Sequence, residues 1–121
     1  MPKTRSIRIV LVTAPPKDAE KIARTLLIER LIACANLLPN VTSLYWWDGK
    51  IQRDGETLIL MKTPARNVKK LLTRLKQLHS YSVPEFLTLS PIEANPNYVA
   101  WVLREATPLL FNHKDTKARR H

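Results

Sequence analysis

The chain has 121 residues, 45% of them apolar and only two glycine, which is enough for one domain with a substantial core and too apolar for general disorder. No apolar run approaches a bilayer span and no hydrophobic stretch follows the basic start, so a soluble, cytoplasmic protein is expected, and the single cysteine, Cys34, rules out an internal disulfide. The net charge of +10 is localised: +2 in residues 1–6, +3 in residues 113–121, and +5 in residues 64–77, where Arg66, Lys69, Lys70, Arg74 and Lys76 meet no acid.

Those two ends read as basic tails around a folded body at residues 7–112. Residues 7–13 form a nearly unbroken apolar strand that stops at Pro15-Pro16. From Asp18 the period changes to a helical stripe of Ala19, Ile22, Ala23, Leu26 and Leu27, running to about Leu31. A second strand is predicted over residues 33–47, kinked at Pro39-Asn40. Asp48-Gly49 then supplies the strongest short-range hairpin signal, because a type I′ turn needs positive φ at both central residues. The return strand ends in Leu58-Ile59-Leu60-Met61, and Gly55 within it suggests a bulge.

Thr63-Pro64 reads as an N-cap followed by a proline at the first helical position, opening a helix striped by Val68, Leu71, Leu72, Leu75 and Leu78. Pro84 leads into a fourth strand over residues 86–90. Asn95-Pro96 repeats the cap-and-proline signature before a last helix carrying Tyr98, Val99, Trp101 and Val102. The fold class expected is α+β, in the ferredoxin-like order β-α-β-β-α-β with an added C-terminal helix.

Packing carries the reading further. Two crossover helices cover one face of such a sheet, yet residues 9–12 and 58–61 are apolar on both faces, and adjacent Trp46 and Trp47 must point to opposite sides. A third helix of about ten residues is too short to screen four strands, so self-association is expected to bury the second face. Tyr45, Trp47 and Trp101 are the rings assigned to sheet and interface packing.

Ala33-Cys34-Ala35-Asn36, the run from Val41 to Ile51, His79-Ser80-Tyr81-Ser82-Val83-Pro84-Glu85 and Tyr98-Val99-Ala100-Trp101 resemble the CutA divalent-cation tolerance family, over about residues 7–105. The resemblance implies a homotrimer of ferredoxin-like subunits packed about a threefold axis, and a role in tolerance to copper and other divalent metals. Proposed copper ligands in that family are a first-strand cysteine and a histidine pair before Pro-Tyr. Here the first position is Val12, and the later motif reads Leu78-His79-Ser80-Tyr81.

His79 is therefore the leading metal candidate, set against a structural role at the end of the second helix, since one imidazole is not a site. Cys34, flanked by alanines, reads as a small buried hydrophobe before it reads as a ligand, with no neighbouring base evident to generate a thiolate. Tyr81, Glu85, Lys62 and Trp46 form the candidate ligand cleft between subunits, able to take a small polar ligand or a hydrated metal; the alternative is an ion pair with interface packing.

No Ser/His/Asp set, glycine-rich phosphate loop, HExxH or CxxC is present, so no catalytic role is assigned; a Glu85–Lys62 acid–base pair is the one candidate. Two other functions compete. A regulatory trimer of the PII class shares fold and assembly, but such proteins reach targets through a long loop where this chain has the tight Asp48-Gly49 turn. Nucleic acid is the other, through the basic helix at residues 64–77, although the third strand lacks the aromatic platform of an RNA-recognition motif.

Overall fold

A computed structural model describes residues 6–108; residues 1–5 of the expected N-terminal tail, the whole tail at 113–121 with His113 and His121, and the end of the expected domain at 109–112 lie outside that range. The elements are β1 (Ile7–Ala14), α1 (Pro16–Ile28), β2 (Cys34–Trp47), β3 (Lys50–Pro64), α2 (Val68–Leu78), β4 (Phe86–Leu89) and α3 (Pro96–Glu105), with a short 3-10 turn at Ala65–Asn67. The four strands lie in the order β2-β3-β1-β4, and every neighbouring pair is antiparallel. This is the α+β, split-βαβ arrangement expected.

Alternation sorts the strands into two faces. Val10, Val12, Ile59 and Met61 point toward α1 and α2 and are fully buried with Ile22, Leu26, Leu71 and Leu75. Ile9, Leu11, Leu58 and Leu60 share the opposite face with Leu87 and Leu89, which are 55% and 48% exposed. Helix α3 covers only the Ile7 end of that second face, through Val99 and Val102.

Several local expectations are corrected. The bulge sits in β2, where the register shifts between Leu38 and Val41 and Asn40 takes φ 61°, while Gly55 pairs regularly with Thr42. Thr63-Pro64 does not cap a helix: Pro64 is still extended at φ −62°, ψ 145°, and the Thr63 hydroxyl donates to the Leu31 carbonyl at 2.7 Å, tying β3 to the end of α1. Helix α1 stops at Ile28, because Arg30 turns left-handed at φ 61° and Leu31 N–H reaches back to the Leu26 carbonyl at 3.0 Å. By contrast Asn95 does cap α3, accepting from Asn97 N–H at 2.9 Å.

Trp46 and Trp47 lie on β2 as expected, yet a single chain buries neither, leaving them 71% and 52% exposed. β1 ends opposite Thr57, so residues 41–56 continue beyond β1 as a two-stranded arm, largely exposed except at its base, where Glu56 is buried. Trp101 behaves differently. It packs against the α3 cluster and stacks on Tyr98 at a ring separation of 5.7 Å.

Candidate functional site

Where the arm leaves the sheet, a cavity of about 530 Å³ opens, lined by Thr13, Tyr45, Trp47, Glu56, Tyr81 and Glu85 together with Ser80, Ser82 and Val83. Its floor is the end of the second sheet face. Its wall is the segment 79–85, held by hydrogen bonds rather than by regular structure. His79, 7% exposed, is the pin: its backbone N–H closes α2 on the Leu75 carbonyl, its Nδ1 accepts from Tyr81 N–H at 3.1 Å, and its Nε2 lies 2.7 Å from the Thr13 carbonyl. Those partners define a neutral ring protonated at Nε2, donating to Thr13. The Ser80 hydroxyl donates to Asp18 in α1 at 3.2 Å, fixing the same segment from outside.

Tyr81, tilted against the His79 ring with centroids 4.7 Å apart, reaches the opposite wall, where its hydroxyl donates to Glu56 Oε2 at 3.0 Å. Burial, then the hydrogen bond and charge of Glu56, push the Tyr81 phenol up to about 12. Tyr45 donates likewise to Asp54, and that hydrogen bond is the first cause of its raised phenol pKa. Both phenols are thus held neutral against carboxylates in the upper part of the site.

Of the four residues expected in the cleft, Tyr81 and Glu85 line this cavity. Trp46 does not; its neighbour Trp47 does. Lys62 lies six residues along β3 from Glu56, roughly 20 Å at about 3.3 Å per residue. There its ammonium contacts Asn36 Oδ1 and sits 3.9 Å from Cys34 Sγ. Cys34 is half-buried, and its charged neighbour is the Lys62 ammonium, brought beside it by the β2–β3 pairing. Tyr98 closes that end, its phenol raised by burial and then by Cys34.

Glu56, Trp47 and the Tyr45–Asp54 pair were missed in the sequence. Strand parity held the signal, since Trp47 faces Lys50 and Tyr45 faces Gln52, on the same side as Glu56 and Leu58. The extra residue of the β2 bulge hid it, because it moves the second face from even positions at Cys34, Asn36 and Leu38 to odd ones at Val41, Tyr45 and Trp47.

These features define an α+β protein of split-βαβ architecture with one open leucine face, a projecting β-arm and an acidic, aromatic cavity at its base. Residues 8–105 match the model of the family described as "CutA1 divalent ion tolerance protein", and the chain belongs to that family. It is 45% identical over 100 residues to the divalent-cation tolerance protein CutA of Thermus thermophilus, covering 82% of this chain and 96% of that one. It is 41% identical over 98 residues to Protein CutA of Mus musculus, covering 80% of this chain but only 55% of the mouse protein. Among solved structures, the divalent cation tolerance protein from Thermus thermophilus superposes with a TM-score of 0.81 at 40% identity, over 84% of this chain and 99% of that one. A protein described as PII-like CutA from Nostoc sp. PCC 7120 gives 0.80 at 33%, over 84% and 99%.

The family name raises the question of a metal. Among the described residues, no group of three or more His, Cys, Asp and Glu converges as ligands, and both His79 nitrogens are already engaged. The donors of one chain do not by themselves fit a tight metal site. Among the described residues, no helix is long and apolar enough to cross a membrane.

Proposed function

We propose that this protein acts as a homotrimer linked to divalent-cation tolerance, copper included, binding a metal ion or small polar ligand weakly in clefts between its copies. The observation that carries this is the uncovered second sheet face, where Leu87 is 55%, Leu89 48% and Leu38 41% exposed. Burying such side chains contributes roughly 1.5–3 kcal/mol each before the costs of association. Stacking copies on this face brings donor groups of two chains together, so that a metal or a small polar ligand draws its contacts from both.

His79 and Cys34 differ as metal candidates. Copper at His79 must displace one of two existing hydrogen bonds, whereas the half-buried Cys34 sulfur lies beside an ammonium. The reading includes no catalytic step and places the protein in the cytoplasm, in keeping with its lone thiol. A second reading, ligand sensing of a PII-like kind, draws support from the Nostoc neighbour and uses the same cavity.

Light scattering and metal analysis on one purified sample test the proposal. A trimer that takes up Cu(II) substoichiometrically, with uptake reduced in Cys34→Ser or His79→Ala, is the expected result. A monomer at micromolar concentration overturns it.

A further inference from the structure

Glu56 is the most informative side chain in the cavity. The residue is only 5% exposed, and Tyr81 occupies Oε2. Its other oxygen accepts no hydrogen bond from any described residue, yet no side-chain oxygen or nitrogen among them is both fully occluded and unpartnered. Oε1 therefore keeps some access to solvent, and Glu56 lines the cavity. A mostly buried carboxylate with one oxygen left without a hydrogen bond beside such a space is a place for a cation.

The rest of the lining says which kind. Among the described residues, no lysine, arginine or histidine lines the cavity, in a chain of net charge +10, whereas Glu85 adds a second carboxylate. Trp47 and Tyr45 present rings that are 52% and 40% exposed, and Tyr81 presents a third. Aromatic faces beside carboxylates attract a cation that carries apolar substituents. A bare divalent ion needs six or more oxygens, or four nitrogen and sulfur ligands, within about 2.6 Å, and a 530 Å³ space with dispersed donors does not supply them.

We propose that the cavity at the base of the arm binds a small organic ammonium ion, its charge on the free Glu56 oxygen and its alkyl groups against the rings of Trp47, Tyr45 and Tyr81. This rests on the cleft reading above and names the ligand class for it. The hydrogen bonds from Tyr81 to Glu56 and from Tyr45 to Asp54 set two of the rings before any ligand arrives, so little ordering accompanies binding.

Tetramethylammonium chloride is the probe, with sodium chloride at matched ionic strength and tert-butanol as a neutral molecule of similar size. Tryptophan emission and proton NMR follow the titration, and light scattering reports the state of assembly. Saturable binding of tetramethylammonium, absent for tert-butanol and weakened at least about tenfold by Glu56→Gln, is expected. Glu85→Gln, at an exposed position, serves if Glu56→Gln fails to fold, with a smaller loss of affinity expected. Equal binding of tert-butanol, or a trimer with no saturable response, overturns the inference and leaves the cleft reading standing. A monomer in the same sample overturns the cleft reading instead.

Discussion

Tyr81 and His79 show how single side chains set the site. The Tyr81 phenol is pushed up to about 12 by burial and by Glu56, so the folded protein favours its neutral form over the unfolded chain, where it ionises near 10. The stabilisation is complete below pH 10 and is lost as pH rises from there through about 12. Solvent screening at this partly exposed ring keeps it under about 1 kcal/mol. Tyr45 and Tyr98 are raised as well, so near-ultraviolet titration should show tyrosinate appearing only above the ordinary phenol range, and Glu56→Gln should bring the Tyr81 component down toward it. His79 acts through geometry. Removing it strands the Thr13 carbonyl and the Tyr81 N–H, so His79→Ala should lower unfolding free energy by about 2–4 kcal/mol in denaturant titration. A loss under about 1 kcal/mol would show that water replaces the ring freely.

Among the elements, the β2–β3 arm departs most from a self-contained domain. Its turn is legible from Asp48-Gly49 alone, since both residues take positive φ, 54° and 74°, as a type I′ hairpin demands. Element order, the two-faced sheet and the α3 cap were legible for similar reasons: period, capping chemistry and strand alternation are local properties of the chain. Three features were not. The start of α2 was misplaced because Thr63 serves a tertiary hydrogen bond to Leu31 that no local pattern encodes. Gly55 carries no bulge, since glycine marks bulges only by tendency; the irregularity falls at Pro39-Asn40, where a kink is expected, because Asn40 tolerates the left-handed conformation through its short polar side chain. Without the extra residue in β2, Trp46 and not Trp47 would share the face of Cys34 and Asn36. The arm also gives a prediction. Full burial of the Trp47 ring would make Trp47→Ala cost about 3–5 kcal/mol, but a ring 52% exposed in one chain carries far less. Unfolding measured in dilute protein should change by under about 1 kcal/mol, while the midpoint of subunit dissociation, followed by light scattering, should move to higher concentration. A large loss in the dilute measurement would mean that the arm packs on its own subunit.

At the scale of the whole molecule, the charge and the apolar surface lie on opposite sides of the sheet, and that separation decides which surface recognises a partner. Helix α2 and the turn before it carry the basic excess on the covered face, but two of the five cations are spent internally. Arg74 is bidentate to Glu29, and Arg66 donates to the Leu103 carbonyl and to Thr107. Lys69, Lys70 and Lys76 are what remains for phosphate, which suits weak, salt-sensitive, non-specific contact rather than recognition. The second face carries the stronger demand. Leu87 sits at its edge, opposite Leu11 in the β1–β4 ladder, and being 55% exposed it contributes little to the fold of one chain. Leu87→Glu should therefore leave the circular dichroism spectrum and the dilute unfolding midpoint nearly unchanged while abolishing assembly, because a carboxylate buried against leucines of another copy has no partner there. Scattering mass at micromolar protein is the measurement. A variant that keeps the full assembled mass would place the intersubunit contact on some other surface and leave the open leucine face unexplained.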